Sequence, residues 1–288
     1  MRILLTGGAG DLGYVLSKQL DHLNETALRF DVRPPTKKAG TYAPGSILDR
    51  TALASVMTNV DCVVHIAAWH GIHEFRKQKD AYDFWDVNVT GTFNVFEAAA
   101  RAQIARMIFI SSTSVEERDG LYGHTKVLGE EIARTYAARH GMSVITLRPR
   151  AFIPYWNRDA YNSFVEWAHW FWGGAVHIND VAQAVMNSIR LLTERGLENN
   201  LVLTVDGAYE YSEADLQNWD ADGAGSTFLK YYTPYHDLAI KHGLNPEQKP
   251  TVYDMTETRH WLNYKPGYSL MNLLQELETY GEQGPPSP

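Results

Sequence analysis

The sequence predicts an α/β fold: a doubly wound parallel sheet with a smaller C-terminal lobe. Three observations lead to it. Compact apolar segments alternate with helical patterns over the first 150 residues, a glycine-rich turn follows the first segment, and an acidic residue ends the second. Continuous apolar runs of this length are typical of parallel strands buried on both faces, which need crossover connections. The order strand, glycine turn, helix, strand, acid therefore predicts the doubly wound arrangement.

Five strands are predicted in residues 1–150, separated by helices. The strands are RILLT, ALRFD, DCVVHIAA, RMIFISST and SVITLRP, and the helical patterns lie near 11–23, 50–58, 81–101 and 122–140. Right-handed crossovers through these helices would keep the strands parallel. We expect residues 1–150 to form the first domain.

After Pro149 the composition changes, and we expect residues 151–288 to form mainly the smaller lobe. Residues 151–175 are rich in aromatic side chains. The segment 176–205 returns to the core sheet in this prediction, because NDVAQAVMNSIRLL has a helical pattern and NNLVLTVDG has the pattern of one more strand.

Composition excludes several classes of protein. The net charge is −8 and no basic stripe is present, so we expect no nucleic-acid partner. Cys62 is the only cysteine, which excludes an internal disulfide and a cysteine-based zinc site and is typical of a reducing cytoplasm. No run of about 18 apolar residues occurs, so nothing should span a membrane. We predict a cytoplasmic protein without a bound metal.

The turn TGGAGDLG, residues 6–13, has the features of a pyrophosphate site. Gly7, Gly10 and Gly13 follow a strand and open a helix. Backbone without Cβ lets a phosphate approach, and the helix N-terminus offers free N–H groups. The alternative is a tight turn whose glycines serve packing only. Asp31 favours the dinucleotide interpretation, because it ends the second strand, where an acid accepts bonds from ribose hydroxyls.

The same acid favours NAD over NADP, since a carboxylate repels a 2′-phosphate. Arg33 lies two residues further on and would suit NADP instead. We therefore predict NAD and keep NADP as the alternative.

Tyr122 and Lys126 are four residues apart at the start of a predicted helix, so they share one face. A free phenol is a poor base at neutral pH, but a neighbouring ammonium and a positively charged nicotinamide would favour the phenolate. Hydroxyls at 111–113 end the preceding strand at the edge where ligands bind in such sheets. The pattern thus predicts proton exchange by Tyr122 during hydride transfer. The alternative is a surface tyrosine and a solvated lysine on an ordinary helix.

Several motifs together resemble the extended short-chain dehydrogenase/reductase family, whose members include nucleotide-sugar epimerases and dehydratases with a Rossmann-type sheet. The matching pieces are TGGAGDLG, Asp31, DCVVHIAA, Asn88 in DVNVTGTFNVFEAA, FISST, YGHTK, LRP, VHINDVAQAV and DMTETRHWLNYKPGYSL. The resemblance implies an NAD-dependent epimerase or dehydrogenase acting on a sugar or nucleotide sugar. It also implies a homodimer formed through the helices at 81–101 and 122–140.

The resemblance assigns roles to individual residues. Cofactor contacts are implied for Gly7, Gly10, Asp11, Leu12, Gly13, Asp31, Ile47, Ala67, Ala68, Asn88, Tyr122, Lys126 and Pro149. Among these, Ile47 would lie near the adenine and Pro149 near the nicotinamide. The catalytic set would be Thr113, Tyr122 and Lys126, with Ser112 as the substitute for Thr113.

The sequence also departs from the family pattern. Only eight residues separate Thr113 from Tyr122, where the family has a longer loop. Ala151 stands where nucleotide-sugar members often carry an asparagine, and 173–174 are glycines where they carry an arginine, so two phosphate contacts are missing. No acidic pair follows Thr113, which argues against dehydratase chemistry.

The stretch DGLYGHTKVLGE is similar to uronate dehydrogenases, which oxidise a free sugar acid. Arg158 could then bind a carboxylate, and His70 could face the substrate, although a solvated arginine and a packed histidine are the more ordinary readings. The sequence therefore predicts an epimerase or dehydrogenase of a sugar or nucleotide sugar, with a dehydrogenase of a free sugar or sugar acid as the alternative. A non-catalytic dinucleotide-binding regulator is the alternative from another class.

Overall fold

The computed structural model describes residues 1–117, 120–197, 200–223 and 225–288. The chain divides into two compact units. The first consists of Met1–Pro149, Ala182–Val205 and Met255–Tyr264, and the second of Arg150–Val181, Asp206–Asp254 and Lys265–Pro288. No helix among these residues has the length and apolarity needed to cross a membrane.

Seven parallel strands form one sheet in the first unit, as the predicted fold class requires. They are β1 (Arg2–Thr6), β2 (Thr26–Asp31), β3 (Thr41–Pro44), β4 (Cys62–His65), β5 (Arg106–Ile110), β6 (Ser143–Pro149) and β7 (Asn200–Val205). Their order is β3-β2-β1-β4-β5-β6-β7. The chain builds outward from β1 in both directions, so the order reverses between β1 and β4. Ligands of doubly wound sheets bind at the carboxyl ends of the strands beside such a reversal.

β3 is absent from the sequence prediction. Its four residues TYAP form an edge strand, none of them is fully buried, and Pro44 ends it. A strand this short has no continuous apolar run and no clear alternation, which are the two signals of a strand in a sequence.

Thirteen α-helices occur in the described residues. They are α1 (Asp11–His22), α2 (Arg50–Val56), α3 (Gly71–Phe75), α4 (Ala81–Phe84), α5 (Thr92–Arg101), α6 (Leu121–His140), α7 (Phe164–Trp172), α8 (Ile178–Glu194), α9 (Glu213–Asn218), α10 (Ser226–Tyr232), α11 (His236–Lys241), α12 (Thr256–Leu262) and α13 (Leu270–Tyr280). The single helix predicted at 81–101 is interrupted by a π-helical turn, Trp85–Gly91. Such turns often occur at functional sites.

The helix α6 packs closely on the sheet through a stripe of small residues. Gly129, Ala133 and Ala137 are buried and recur every four residues, which places them on one face of the helix. A Cβ at Gly129 would lie 2.6 Å from the ring of Phe109 in β5. The small residues therefore set how near α6 lies to β5.

The second unit has its own aromatic core. The Trp167 side chain is 1% exposed and packs against Phe164, Phe171 and Tyr268. Its indole N–H donates to the carbonyl of Ile153 at 2.9 Å. The aromatic segment predicted for this lobe thus supplies its interior, where a buried indole needs such an acceptor.

Candidate active site

The positions of the turn after β1 require glycine for different physical reasons. Gly7 has φ +68°, and a Cβ there would lie 2.8 Å from the backbone of Ala67. A Cβ at Gly13 would lie 2.4 Å from the carbonyl oxygen of Gly8. At Gly10 the only neighbour is the Gly7 carbonyl, at 3.3 Å. Packing explains Gly7 and Gly13, whereas Gly10 borders open space at the start of α1, as a phosphate cradle requires.

Asp31 lies where the dinucleotide interpretation needs an acid. Its Oδ2 accepts the Ala9 N–H at 3.0 Å, and its Oδ1 accepts the Arg33 N–H at 3.0 Å. The carboxylate is thereby fixed beside the glycine turn, while Arg33 is exposed. Asp11, Leu12 and Gly13 form the first turn of α1.

Arg29 supports this turn from β2 and was missed by sequence reasoning. Its side chain is 1% exposed and donates to the carbonyl oxygens of Gly8 at 2.6 Å, Lys37 at 2.9 Å and Ala39 at 3.1 Å. Burial lowers the pKa of the guanidinium and outweighs the opposing attraction of Asp31. An arginine inside an apolar strand carries no motif, so only the fold reveals it.

Four other predicted cofactor positions are occupied by small or apolar residues. Ile47 is buried, and its Cδ1 would lie 2.4 Å from a Cβ at Gly91. Ala67 and Ala68 follow β4 and are half-buried. Pro149 is buried at the end of β6.

Asn88, on the π-helical turn, clamps the loop after β4. Its carboxamide accepts the Trp69 N–H at 2.7 Å and donates to the Trp69 carbonyl at 3.0 Å. It also donates to the Thr125 hydroxyl at 3.0 Å, and Thr125 donates to the Tyr122 carbonyl at 2.8 Å. Asn88 therefore organises backbone and connects this loop to α6.

His65 has a structural role. Its Nδ1 pairs with the Thr6 hydroxyl at 2.7 Å and its Nε2 with the Thr92 hydroxyl at 2.9 Å. Burial first, and then the charge of Lys126, lower the pKa of His65 to about 3. The imidazole is neutral and satisfied at both nitrogens.

Tyr122, Lys126 and Ser112 meet at the carboxyl end of β5. The Lys126 Nζ donates to the Ile110 carbonyl at 2.7 Å and lies 5.8 Å from the centre of the Tyr122 ring. The Ser112 side chain lies close enough to the Tyr122 phenol to act on its pKa. Thr113 is buried at the start of a 3₁₀ turn, Thr113–Val115, and no hydrogen bond joins it to Tyr122 among the described residues. Ser112, the predicted substitute for Thr113, is the hydroxyl that acts on the pKa of Tyr122, and the preference between the two stays a prediction.

Burial acts against the charged forms of both Tyr122 and Lys126. Burial raises the pKa of Tyr122 to about 12, and the Ser112 hydrogen bond opposes that rise. Burial also lowers the pKa of Lys126 to about 7, against the pull of Glu130. Desolvation penalises both charged forms and is the largest cause of both shifts.

The helix α3 packs against Tyr122 and the start of α6. A Cβ at Gly71 would lie 3.2 Å from Cδ1 of the Tyr122 ring. The Glu74 carboxylate accepts the N–H groups of Leu121 at 2.7 Å and Tyr122 at 2.8 Å. His70 precedes α3, and burial first, then Lys126 and His73, lower its pKa to about 3. His70 therefore presents a neutral imidazole near Lys126.

Arg158 belongs to the second unit. It is an exposed residue whose Nη1 donates to the Asn162 carbonyl at 3.2 Å. The two residues Arg118 and Asp119, which lie in the short loop before Tyr122, are outside the described residues. Among the described residues no group of three or more His, Cys, Asp or Glu side chains could hold a metal.

Comparison with known proteins gives consistent similarities. The model of a family described as the NAD dependent epimerase/dehydratase family matches residues 3–165. An uncharacterized protein of Sinorhizobium fredii, y4nG, is 30% identical over 96% of this chain and 77% of its own length. A uronate dehydrogenase of Pseudomonas putida is 29% identical over 53% of this chain. The match spans 62% of that enzyme, less than two thirds of its length.

The fold has solved counterparts. The structure of MoeE5 in complex with UDP-glucose and NAD superposes with a TM-score of 0.70 and 20% identity, and the match covers 96% of each chain. At this identity the likeness concerns the fold.

Proposed function

The chain belongs to the NAD-dependent epimerase/dehydratase family, and from that premise we propose that it transfers a hydride between a sugar carbinol and NAD. Tyr122 would exchange the hydroxyl proton. The observation that carries this proposal is the meeting of Ser112, Tyr122 and Lys126 at the carboxyl end of β5. The glycine turn lies at the carboxyl end of β1 in the same sheet.

The turn fits a dinucleotide for reasons independent of any relative. Gly10 borders open space at a helix N-terminus, and Asp31 is held beside it by the Ala9 N–H. These groups would hold the pyrophosphate and the adenosine ribose. NAD, when bound, supplies the hydride acceptor.

The side chains have distinct parts in the proposed chemistry. Ser112 would orient the substrate oxygen beside the phenol. Tyr122 would take the carbinol proton, which requires the phenol to lose its own proton first. Lys126, with a pKa of about 7, can gain or release a proton close to neutral pH and would stabilise the phenolate when charged.

Two features favour a free sugar or sugar acid as the substrate. The residues that would replace the diphosphate contacts of nucleotide-sugar enzymes are Ala151 and Gly174. The Arg150 guanidinium fills the space beside Gly174, where a Cβ would lie 1.8 Å from its Nη2. That arginine is tied to Tyr209 at 2.9 Å and to Asp206 at 3.6 Å within the second unit. The similarity to uronate dehydrogenase points in the same direction.

His70 would contact this substrate. Its imidazole stays neutral and lies near Lys126. A neutral ring can donate one hydrogen bond and accept another, which suits a sugar hydroxyl. We also expect a homodimer through α5 and α6, which carry the exposed Phe93 and the Tyr136 ring in edge contact with it.

The test is a panel of three substrates with NAD: galacturonate, L-arabinose and UDP-glucose. Each reaction is monitored by NADH absorbance, and the sugar product is identified by sugar analysis. Steady NADH formation with a free sugar is the expected result. Isomerised sugar without NADH would assign an epimerase instead. Coenzyme binding without either product would favour the non-catalytic regulator and contradict the proposal.

A further inference from the structure

The helix that carries Tyr122 begins without a cap of its own. Gly120 precedes it with extended backbone and no capping side chain, and its first turn contains no acidic residue. The first N–H groups of any helix have no partner inside the helix. In α6 these N–H groups lie at and beside Tyr122, the proposed catalytic residue. The acceptor that binds them therefore affects the site.

Glu74 supplies the missing cap from α3, 47 residues earlier in the chain than Leu121. One carboxylate oxygen accepts the Leu121 N–H at 2.7 Å and the other accepts the Tyr122 N–H at 2.8 Å. A Cβ at Gly120 would lie 3.2 Å from Glu74 Oε2, so the glycine leaves room for this approach. A carboxylate at a helix N-terminus also offsets the positive end of the helix dipole.

The same short helix holds the Tyr122 ring. Gly71, one helical turn before Glu74, lies against that ring, and a Cβ there would come within 3.2 Å of it. On the far side, the Tyr122 carbonyl accepts the Thr125 hydroxyl, which Asn88 holds in turn. The backbone N–H, the ring and the carbonyl of Tyr122 are thus each fixed by a different residue.

We propose that Glu74 is a positioning residue that holds the Tyr122 phenol at Ser112 and Lys126. It acts through the first turn of α6 and does not itself touch the reacting atoms. This inference rests on the proposed function, since it assigns a purpose to the fixed phenol. Without the carboxylate, two N–H groups of that turn lose their acceptor, and the turn is free to move the phenol away from its partners.

The experiment reports on the phenol directly. 3-Fluorotyrosine is installed at position 122, and its ¹⁹F resonance is titrated with NAD present in wild type, Glu74→Ala, Glu74→Gln and Asp49→Ala. Asp49 is the matched control, because its carboxylate accepts the N–H groups of Thr51 at 2.9 Å and Ala52 at 3.0 Å at the start of α2.

We expect Glu74→Ala to move the titration midpoint to higher pH, because the phenolate loses Lys126 and Ser112. Glu74→Gln keeps the volume but only one acceptor oxygen, so its midpoint should move the same way by less. With the sugar that the wild type oxidises, kcat should fall about 10²-fold in Glu74→Ala, as for small misplacements of a catalytic group, while KM for NAD changes little. Asp49→Ala should match wild type in both readouts.

A midpoint that stays in place would overturn the proposal. So would a midpoint that falls, since that result would mean that Glu74 acts only as a negative charge. If the midpoint rises while the wild type oxidises no sugar, the proposed function fails and the positioning stands. If the wild type is active and the fluorine signal is unmoved, the positioning fails and the function stands.

Discussion

The helices α1 and α6 begin in the same way, yet the protein treats their N-termini in opposite ways. Each starts after a glycine with extended backbone that provides no capping side chain, Gly10 and Gly120. At α6 the Glu74 carboxylate occupies the position of the missing cap. At α1 the glycine borders open space. An uncapped N-terminus attracts an anion, so the comparison supports the proposal that α1 receives the pyrophosphate of the coenzyme, whereas α6 is satisfied by Glu74.

The largest effect should come from the residue that the capped terminus fixes. Tyr122→Phe removes the proton-exchanging hydroxyl, and we expect kcat to fall about 10³-fold, within the range for general acid–base groups. NAD affinity should stay within about twofold, because the glycine turn is untouched. Steady-state NADH formation and calorimetric titration with NAD measure the two quantities.

Tyr82→Phe is the control, because the Tyr82 side chain is 81% exposed. If the Tyr122→Phe enzyme kept most of its turnover, α6 would not carry the chemistry. The contrast between the N-termini of α1 and α6 would then have no functional meaning at α6.

Arg29→Met should remove the side chain that supports the glycine turn at the start of α1. The buried guanidinium satisfies three carbonyl oxygens, including that of Gly8 in the turn. An unsatisfied buried acceptor costs about 1–3 kcal/mol, so we expect the free energy of unfolding to fall by about 3 kcal/mol. Urea denaturation of wild type, Arg29→Met and the exposed control Arg33→Met checks this. Equal stability of the three proteins would mean that the turn holds its shape without Arg29.

The sequence predicted one of these two termini well and the other only in part. The glycine turn follows from local spacing, because Gly7, Gly10 and Gly13 lie within seven residues and a strand and a helix flank them. The sheet follows for a similar reason, since its long inner strands are continuous apolar runs. Tyr122 and Lys126 also follow, because the helical repeat alone places them on one face.

What the sequence could not provide depends on contacts between distant segments. Glu74 reaches α6 across 47 residues, and Arg29 crosses from β2 to the glycine turn. Ser112 and Thr113 are adjacent hydroxyls, and the backbone path after β5 decides how near each lies to the phenol. The rise in the pKa of Tyr122 comes from burial, which the sequence does not display.

Two glycine substitutions separate the open terminus from the packing around it. Gly10→Ala adds a methyl group toward the open side, so NAD affinity should fall about tenfold, or about 1.4 kcal/mol, with little change in melting temperature. Gly13→Ala would place its Cβ 2.4 Å from the Gly8 carbonyl oxygen, and such overpacking costs about 1–3 kcal/mol of stability. NAD titration and thermal unfolding of both variants give the test. The packing-only reading of the turn is favoured instead if Gly10→Ala binds NAD normally.

The last effect concerns Lys126, one helical turn after Tyr122, and it appears as a pH dependence of stability. Lys126 has a folded-state pKa of about 7, well below its ordinary value of 10.5. Between these two values the unfolded chain binds a proton that the folded chain does not, so this residue makes stability rise with pH across that window. One full proton corresponds to a slope of about 1.4 kcal/mol per pH unit. Lys126→Met should remove that contribution.

The measurement is the free energy of unfolding of wild type and Lys126→Met from pH 7 to 9.5, without NAD. The upper limit stays below the ordinary pKa of tyrosine, because Tyr122 would contribute a slope of the opposite sign above it. All other titrating groups are common to both proteins and cancel in the difference. The wild type should therefore gain stability relative to the variant as the pH rises. A constant difference would mean that Lys126 stays charged when buried, in which case the ammonium could stabilise the phenolate throughout this range.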